Sequence, residues 1–182
     1  MSRERPRILQ IEQKENIIEM AEAKNENRII KTIIANCGEG EAGKTQSILM
    51  VYEKLCKVAD CEPLLLRKPE DFSGDICAIV TINNVKVGIV SHGDVISTIK
   101  DCIDELIRHD CQIILASGRS SYKAICLLKS YYDEGYRLWR TCNARLYEED
   151  THPRVAPKGI LDRFNKQWAE EIANLIESWC YE

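Results

Sequence analysis

The sequence predicts an α/β protein, a three-layer α/β/α sandwich around a mostly parallel sheet. Three observations point there. Short β-branched apolar runs alternate with longer amphipathic segments from residue 29 onward. A glycine-rich loop, "CGEGEAGKT" (37–45), separates the first such run from the first such segment. Two further apolar runs flank Asn83-Asn84, and asparagine tolerates the positive φ of a tight hairpin turn, so one antiparallel element is expected at an edge of the sheet. With 182 residues, no internal repeat and no linker-like stretch, the chain is expected to form a single domain with a sizeable core.

Taken in order, 8–28 is rich in helix formers with apolar residues at helical intervals, which predicts an amphipathic helix ahead of the first strand. "IIKTIIANC" (29–37) predicts a buried strand, and 44–59 a helix that turns Ile48, Leu49, Val51, Tyr52 and Leu55 toward a sheet. A short second strand is expected in 61–68, a turn over Asp71–Asp75, and the hairpin over 76–93. Then follow a helix (95–110), a strand (111–118), a helix closed by Gly135 (120–135), a strand (136–147), a polar loop (148–157) and a last helix (158–179).

Hydrophobic residues make up 45% and charged residues 30%, with a net charge of −4, so the broad basic footprint of a nucleic-acid binder is missing and that partner is not expected. There is no apolar run of membrane-spanning length and no secretory signal at the N-terminus, which makes a cytoplasmic protein without a membrane partner the expectation. Nine cysteines include no C-x-x-C pair, and most sit among aliphatic residues; they are expected to act as small buried hydrophobes rather than as a metal or redox site.

The glycine loop carries two signatures. Gly38, Gly40 and Gly43 spell G-x-G-x-x-G, which suits a dinucleotide; Gly38, Gly43, Lys44 and Thr45 spell G-x-x-x-x-G-K-T, which suits a nucleoside triphosphate. A dinucleotide site wants an acidic residue at the end of the second strand, where this chain has Arg67 and Lys68. Lys44-Thr45 has a task only in the triphosphate loop. Its glycines let successive amides point inward at phosphate oxygens, aided by the start of a helix. Lys44 would reach the β- and γ-phosphates and Thr45 would hold Mg²⁺. Glu39 and Glu41 add negative charge at variable positions, whose side chains can point away from the amides.

Through "GEGEAGKT" (38–45) the chain resembles the P-loop NTPase superfamily, and small kinase-like members in particular. The resemblance implies that Gly38, Glu39, Gly40, Glu41, Ala42, Gly43, Lys44, Thr45 and Gln46 line a site for ATP or GTP with Mg²⁺, Lys44 being catalytic as well. No guanine-selective N-K-x-D motif appears, which favours ATP. The resemblance also implies an acid after a second apolar strand. "VGIVSHGD" (87–94) offers Asp94 as a metal-associated, catalytic residue or as the cap of the next helix, with Ser91 in the position that the acid usually takes.

His92 is a candidate contact or acid–base group and otherwise a solvated loop histidine. Arg119, after the strand 111–118, falls on the rim where α/β sheets gather ligands and is expected to stabilise phosphoryl charge or a substrate anion, with Ser120 capping the helix behind it. Asp71 and Asp75 are either acceptor-orienting carboxylates or turn residues. By analogy with P-loop kinases, Arg137, Arg140 and Arg145 are candidates to contact the nucleotide, the alternative being a solvated strand face, and 151–157 is a candidate to contact the adenine. The function expected is Mg²⁺-dependent phosphoryl transfer to water, a small molecule or a protein; the alternative is a nucleotide-dependent switch with slow or no turnover.

Overall fold

Chain reversal at Asn83-Asn84 sets one end of the sheet. Both residues take positive φ, 49° and 63°, the conformation of a two-residue turn whose twist matches the strands it joins. It connects β3 (Cys77–Ile82) to β4 (Val85–Val90), paired antiparallel from Cys77↔Val90 to Ile82↔Val85. The Asn83 amide also donates to the Cys180 carbonyl at 2.8 Å. The structure is a computed structural model and describes residues 29–38, 43–70, 73–142 and 158–182.

The other strands are β1 (Thr32–Cys37), β2 (Leu64–Arg67), β5 (Ile113–Gly118) and β6 (Arg137–Thr141), and the sheet order is β2-β3-β4-β5-β1-β6. β4, β5, β1 and β6 are mutually parallel, β3 runs against β4, and β2 runs against β3. The antiparallel element is therefore not itself an edge: β4 lies inside the sheet and β2 closes it, with a register irregularity between Leu65 and Arg67 that suits an edge strand. β1 and β5 are buried throughout, which accounts for their unbroken apolar runs; β2 and β6 are largely exposed.

Among the described residues there are four helices: α1 (Lys44–Leu55), α2 (Ile96–Arg108), α3 (Tyr122–Ser130) and α4 (Lys158–Cys180). Ile33, Ala35, Ile79, Val90, Ile114 and Ala116 project from one sheet face into a core with Ile99, Cys102, Ile103 and Leu106 of α2 and Leu128 of α3. Strand alternation sends Ile34, Val80, Ile89 and Leu115 to the opposite face, where α1 packs on the sheet and against α4. Gly88 has no room for a side chain, since a Cβ there would meet Leu106 Cδ1 at 2.7 Å.

Two expected caps move by one residue. The N-cap of α2 is Val95 and no side chain bonds there, so Asp94 does not cap it; Ser121, not Ser120, caps α3 by accepting from the Ala124 amide at 3.3 Å. α1 and α3 end earlier than expected, and Gly135 (φ 83°) closes the turn that follows α3. The helix expected over 8–28, the end of the strand expected to 147 and the loop 148–157 lie outside the described residues. All nine cysteines are free thiols; five are buried, whereas Cys61, Cys126 and Cys142 are exposed and do not fit the buried reading.

Candidate phosphate-binding site

The carboxyl ends of β4, β5, β1 and β6 share one rim, and α1 begins there directly after the glycine loop. Gly43 is the N-cap of α1 in the left-handed conformation (φ 71°, ψ 17°) and has no side chain with which to cap the helix. The Gly43 carbonyl accepts from the Ser47 amide and the Ser47 hydroxyl, each at 2.9 Å. A Cβ on Gly43 would lie 2.2 Å from Asn165 Nδ2, so glycine is required by backbone conformation and by the close approach of α4.

Gly38 continues the β1–β5 ladder by donating to the Gly118 carbonyl at 3.1 Å. Lys44 is buried although charged. Burial pushes the Cys37 thiol up, while the nearby Arg140 guanidinium and, less strongly, the Lys44 ammonium draw it down. Two cations thus converge on the end of β1. Gln46 is exposed on the first turn of α1, and Glu39, Gly40, Glu41 and Ala42 lie outside the described residues.

Beside this unit lies a polar row. Asn36 of β1 pairs in register with Ser117 of β5, and Ser91 follows the last β4–β5 pair; all three are buried. Ser117 Oγ has no hydrogen-bond partner among the described residues, and Gly93 approaches it so closely that a Cβ there would meet it at 2.4 Å. Thr45 Oγ1 donates to the Ser91 carbonyl at 3.4 Å, tying the first turn of α1 to the end of β4.

Because β3 runs in reverse, its beginning reaches the same rim and brings Asp75 with it. Asp75 Oδ1 accepts from Ser91 Oγ at 2.8 Å, and Asp75 Oδ2 lies 3.0 Å from His92 Nδ1. Ser91 Oγ accepts from the Ile76 amide at 2.8 Å, so its own proton is committed to Asp75. A carboxylate can only accept, so His92 Nδ1 carries hydrogen, and a neutral ring then holds its lone pair on Nε2.

Asp94 and Arg119, expected at the site from separate loops, are brought together: Arg119 Nε donates to Asp94 Oδ1 at 3.1 Å, with both side chains more than half exposed. Arg140 stands on β6 opposite Ala35 of β1, near the loop, whereas Arg137 opens β6 opposite Thr32, at the far rim. The structure therefore removes Arg137 from the site. Asp71 and Arg145 lie outside the described residues.

Two residues matter more than sequence reasoning assigned. Asp75 stood as either an acceptor-orienting carboxylate or a turn residue, and only the strand pairing brings it to Ser91. Asn165 was passed over, although a signal existed: it occupies the buried register of α4 set by Ala169, Ala173 and Ile176, where an amide is out of place. No helix among the described residues is long and apolar enough to cross a membrane, and they contain no group of three or more His, Cys, Asp or Glu residues placed to hold a metal.

Comparison of the chain with protein-family models, with curated proteins and with solved structures found no match.

Proposed function

We propose that this chain is a P-loop nucleoside-triphosphate-binding protein that passes the terminal phosphoryl group of ATP, or of GTP, to water or another acceptor in the manner of small kinases. The observation that carries the proposal is the turn at Gly43. A helix start with a left-handed glycine as its N-cap, a buried Lys44 and a Thr45 hydroxyl bonded to the Ser91 carbonyl after β4 come together after a buried parallel strand. Backbone amides and a lysine at a helix start are suited to a polyphosphate chain. The sheet order also argues against the dinucleotide reading. β2 lies at the far edge with three strands between it and β1, whereas a dinucleotide fold sets its second strand beside the first.

Mg²⁺ fits the donors at the rim. Thr45 Oγ1, the Ser91 carbonyl and, behind it, the Asp75 carboxylate are all oxygens, the ligand type that a hard cation selects. The unpartnered Ser117 hydroxyl adds a buried polar atom beside them. Thr45 would be the direct protein ligand, and the bound cation would supply charge neutralisation of the phosphates. The chain's own contributions are distinct: the loop amides bind, Lys44 and Arg140 supply fixed positive charge, and Asp75 fixes the orientations of Ser91 and His92.

The test is calorimetric titration with ATP and GTP in the presence of Mg²⁺. Lys44→Ala is expected to lower affinity at least about tenfold, the scale of one lost charge-assisted contact, with the far-UV dichroism unchanged. Equal affinity in the folded variant refutes the site.

A further inference from the structure

We infer that Asp94 is a positioning residue for Arg119, and that the Arg119 guanidinium reads the last phosphate of the bound nucleotide, discriminating triphosphate from diphosphate. The inference rests on the triphosphate reading above and gives Asp94 a task other than holding metal. β5 lies between β1 and β4, so the segments leaving β5 and β4 flank one side of the glycine loop. Gly118, at the end of β5, accepts from the Gly38 amide at 3.1 Å, and Arg119 is the next residue. Its backbone is thereby fixed to the first glycine of the loop.

The side chain is held in a particular way. Asp94 engages Nε at 3.1 Å, and among the described residues the two terminal nitrogens make no hydrogen bond. A guanidinium gripped through Nε keeps its outer fork for a second acceptor, and phosphate oxygens match the spacing of such a fork. The pair is more than half exposed on both sides, so a ligand at the rim reaches it without displacing core. As an exposed pair it adds little to stability, so losing it leaves the fold in place.

The experiment measures ATP and ADP affinities by calorimetry, once with Mg²⁺ and once with a chelator in its place. Arg119→Gln is expected to lower the ATP-to-ADP affinity ratio roughly tenfold, the scale of one lost charge-assisted hydrogen bond. Asp94→Ala lowers the same ratio in the same direction with or without Mg²⁺. Asp94→Asn keeps an oxygen for Nε and retains most of the ratio. An unchanged ratio in Arg119→Gln overturns the inference. An effect of Asp94→Ala seen only with Mg²⁺ overturns it too, by making Asp94 a metal ligand. If the unaltered protein binds neither nucleotide, the triphosphate reading falls and takes the inference with it; binding with an indifferent ratio removes the inference alone.

Discussion

Replacing Gly43 by alanine tests two constraints at once, and a double-mutant cycle separates them. The φ of 71° is penalised by about 1–2 kcal/mol for a residue with a Cβ. The new methyl would also stand 2.2 Å from Asn165 Nδ2, inside contact distance. Asn165 is 2% exposed, so its amide has little room to retreat, and such overpacking costs about 1–3 kcal/mol. Together Gly43→Ala is expected to destabilise by about 2–5 kcal/mol, a large share of the roughly 5–15 kcal/mol that holds an ordinary domain.

Asn165→Ala removes the obstructing amide. In the double variant the overpacking part vanishes while the backbone part stays, so the pair should be less destabilised than the sum of the singles by about 1–3 kcal/mol. Urea unfolding of the four proteins, followed by far-UV dichroism and analysed at constant m, measures this coupling. Additivity within about 0.5 kcal/mol, the usual result for sites that do not touch, would refute the claim that α4 presses on the Gly43 turn.

Other predictions follow from the same contacts. Tyr131 is buried and donates to Asp104 Oδ1 at 2.7 Å, and Asp104 also pairs with Lys100; Tyr131→Phe should cost about 1 kcal/mol near neutral pH. Burial works to raise the Asp104 pKa, but hydrogen bonds from Lys100 and Tyr131 outweigh it and hold the pKa below 3.8. The carboxylate's contribution is therefore present above that value and lost as pH falls through the lower folded one, so the gap between Tyr131→Phe and the unaltered protein should close in acid; a constant gap down to pH 2 counts against the pairing. Asp75→Asn keeps an acceptor for Ser91 Oγ but turns an amide donor toward His92 Nδ1, which should move the ring hydrogen to Nε2 and cost ~1 kcal/mol of lost charge assistance. Nitrogen-15 shifts of the His92 ring report the tautomer, and hydrogen retained on Nδ1 in the variant refutes the geometry.

How much of this was legible depends on how far apart the partners stand in the chain. The Asn83-Asn84 turn, the strand–loop–helix unit from Thr32 to Leu55 and the long helix ending at Cys180 all announce themselves locally, through turn chemistry and period. Strand order does not. Burial of Val87 or Ile113 says that each is inside, not that β5 separates β4 from β1. For the same reason the sequence left Asp75 open between an acceptor-orienting carboxylate and a turn residue, since its partners Ser91 and His92 are supplied by strand pairing. The cap at Ser121 was missed by one position because Ser120 and Ser121 have the same chemistry, and only backbone geometry chooses between them. Asp94 and Arg119 each follow an apolar run in the sequence, but their mutual bond depends on two adjacent loops and cannot be read from either.

The reversed direction of β3 has an architectural consequence. β2 finishes and β3 starts on the rim of the sheet where α1 begins, so the connection between them has both ends on that rim, with at least two strands between it and β1. Chain added there would hang over the neighbourhood of Asp75 without altering the β4-β5-β1 ladder or the seating of the first helix. That excursion can thus be remodelled while the strands and helix that frame the glycine loop keep their arrangement.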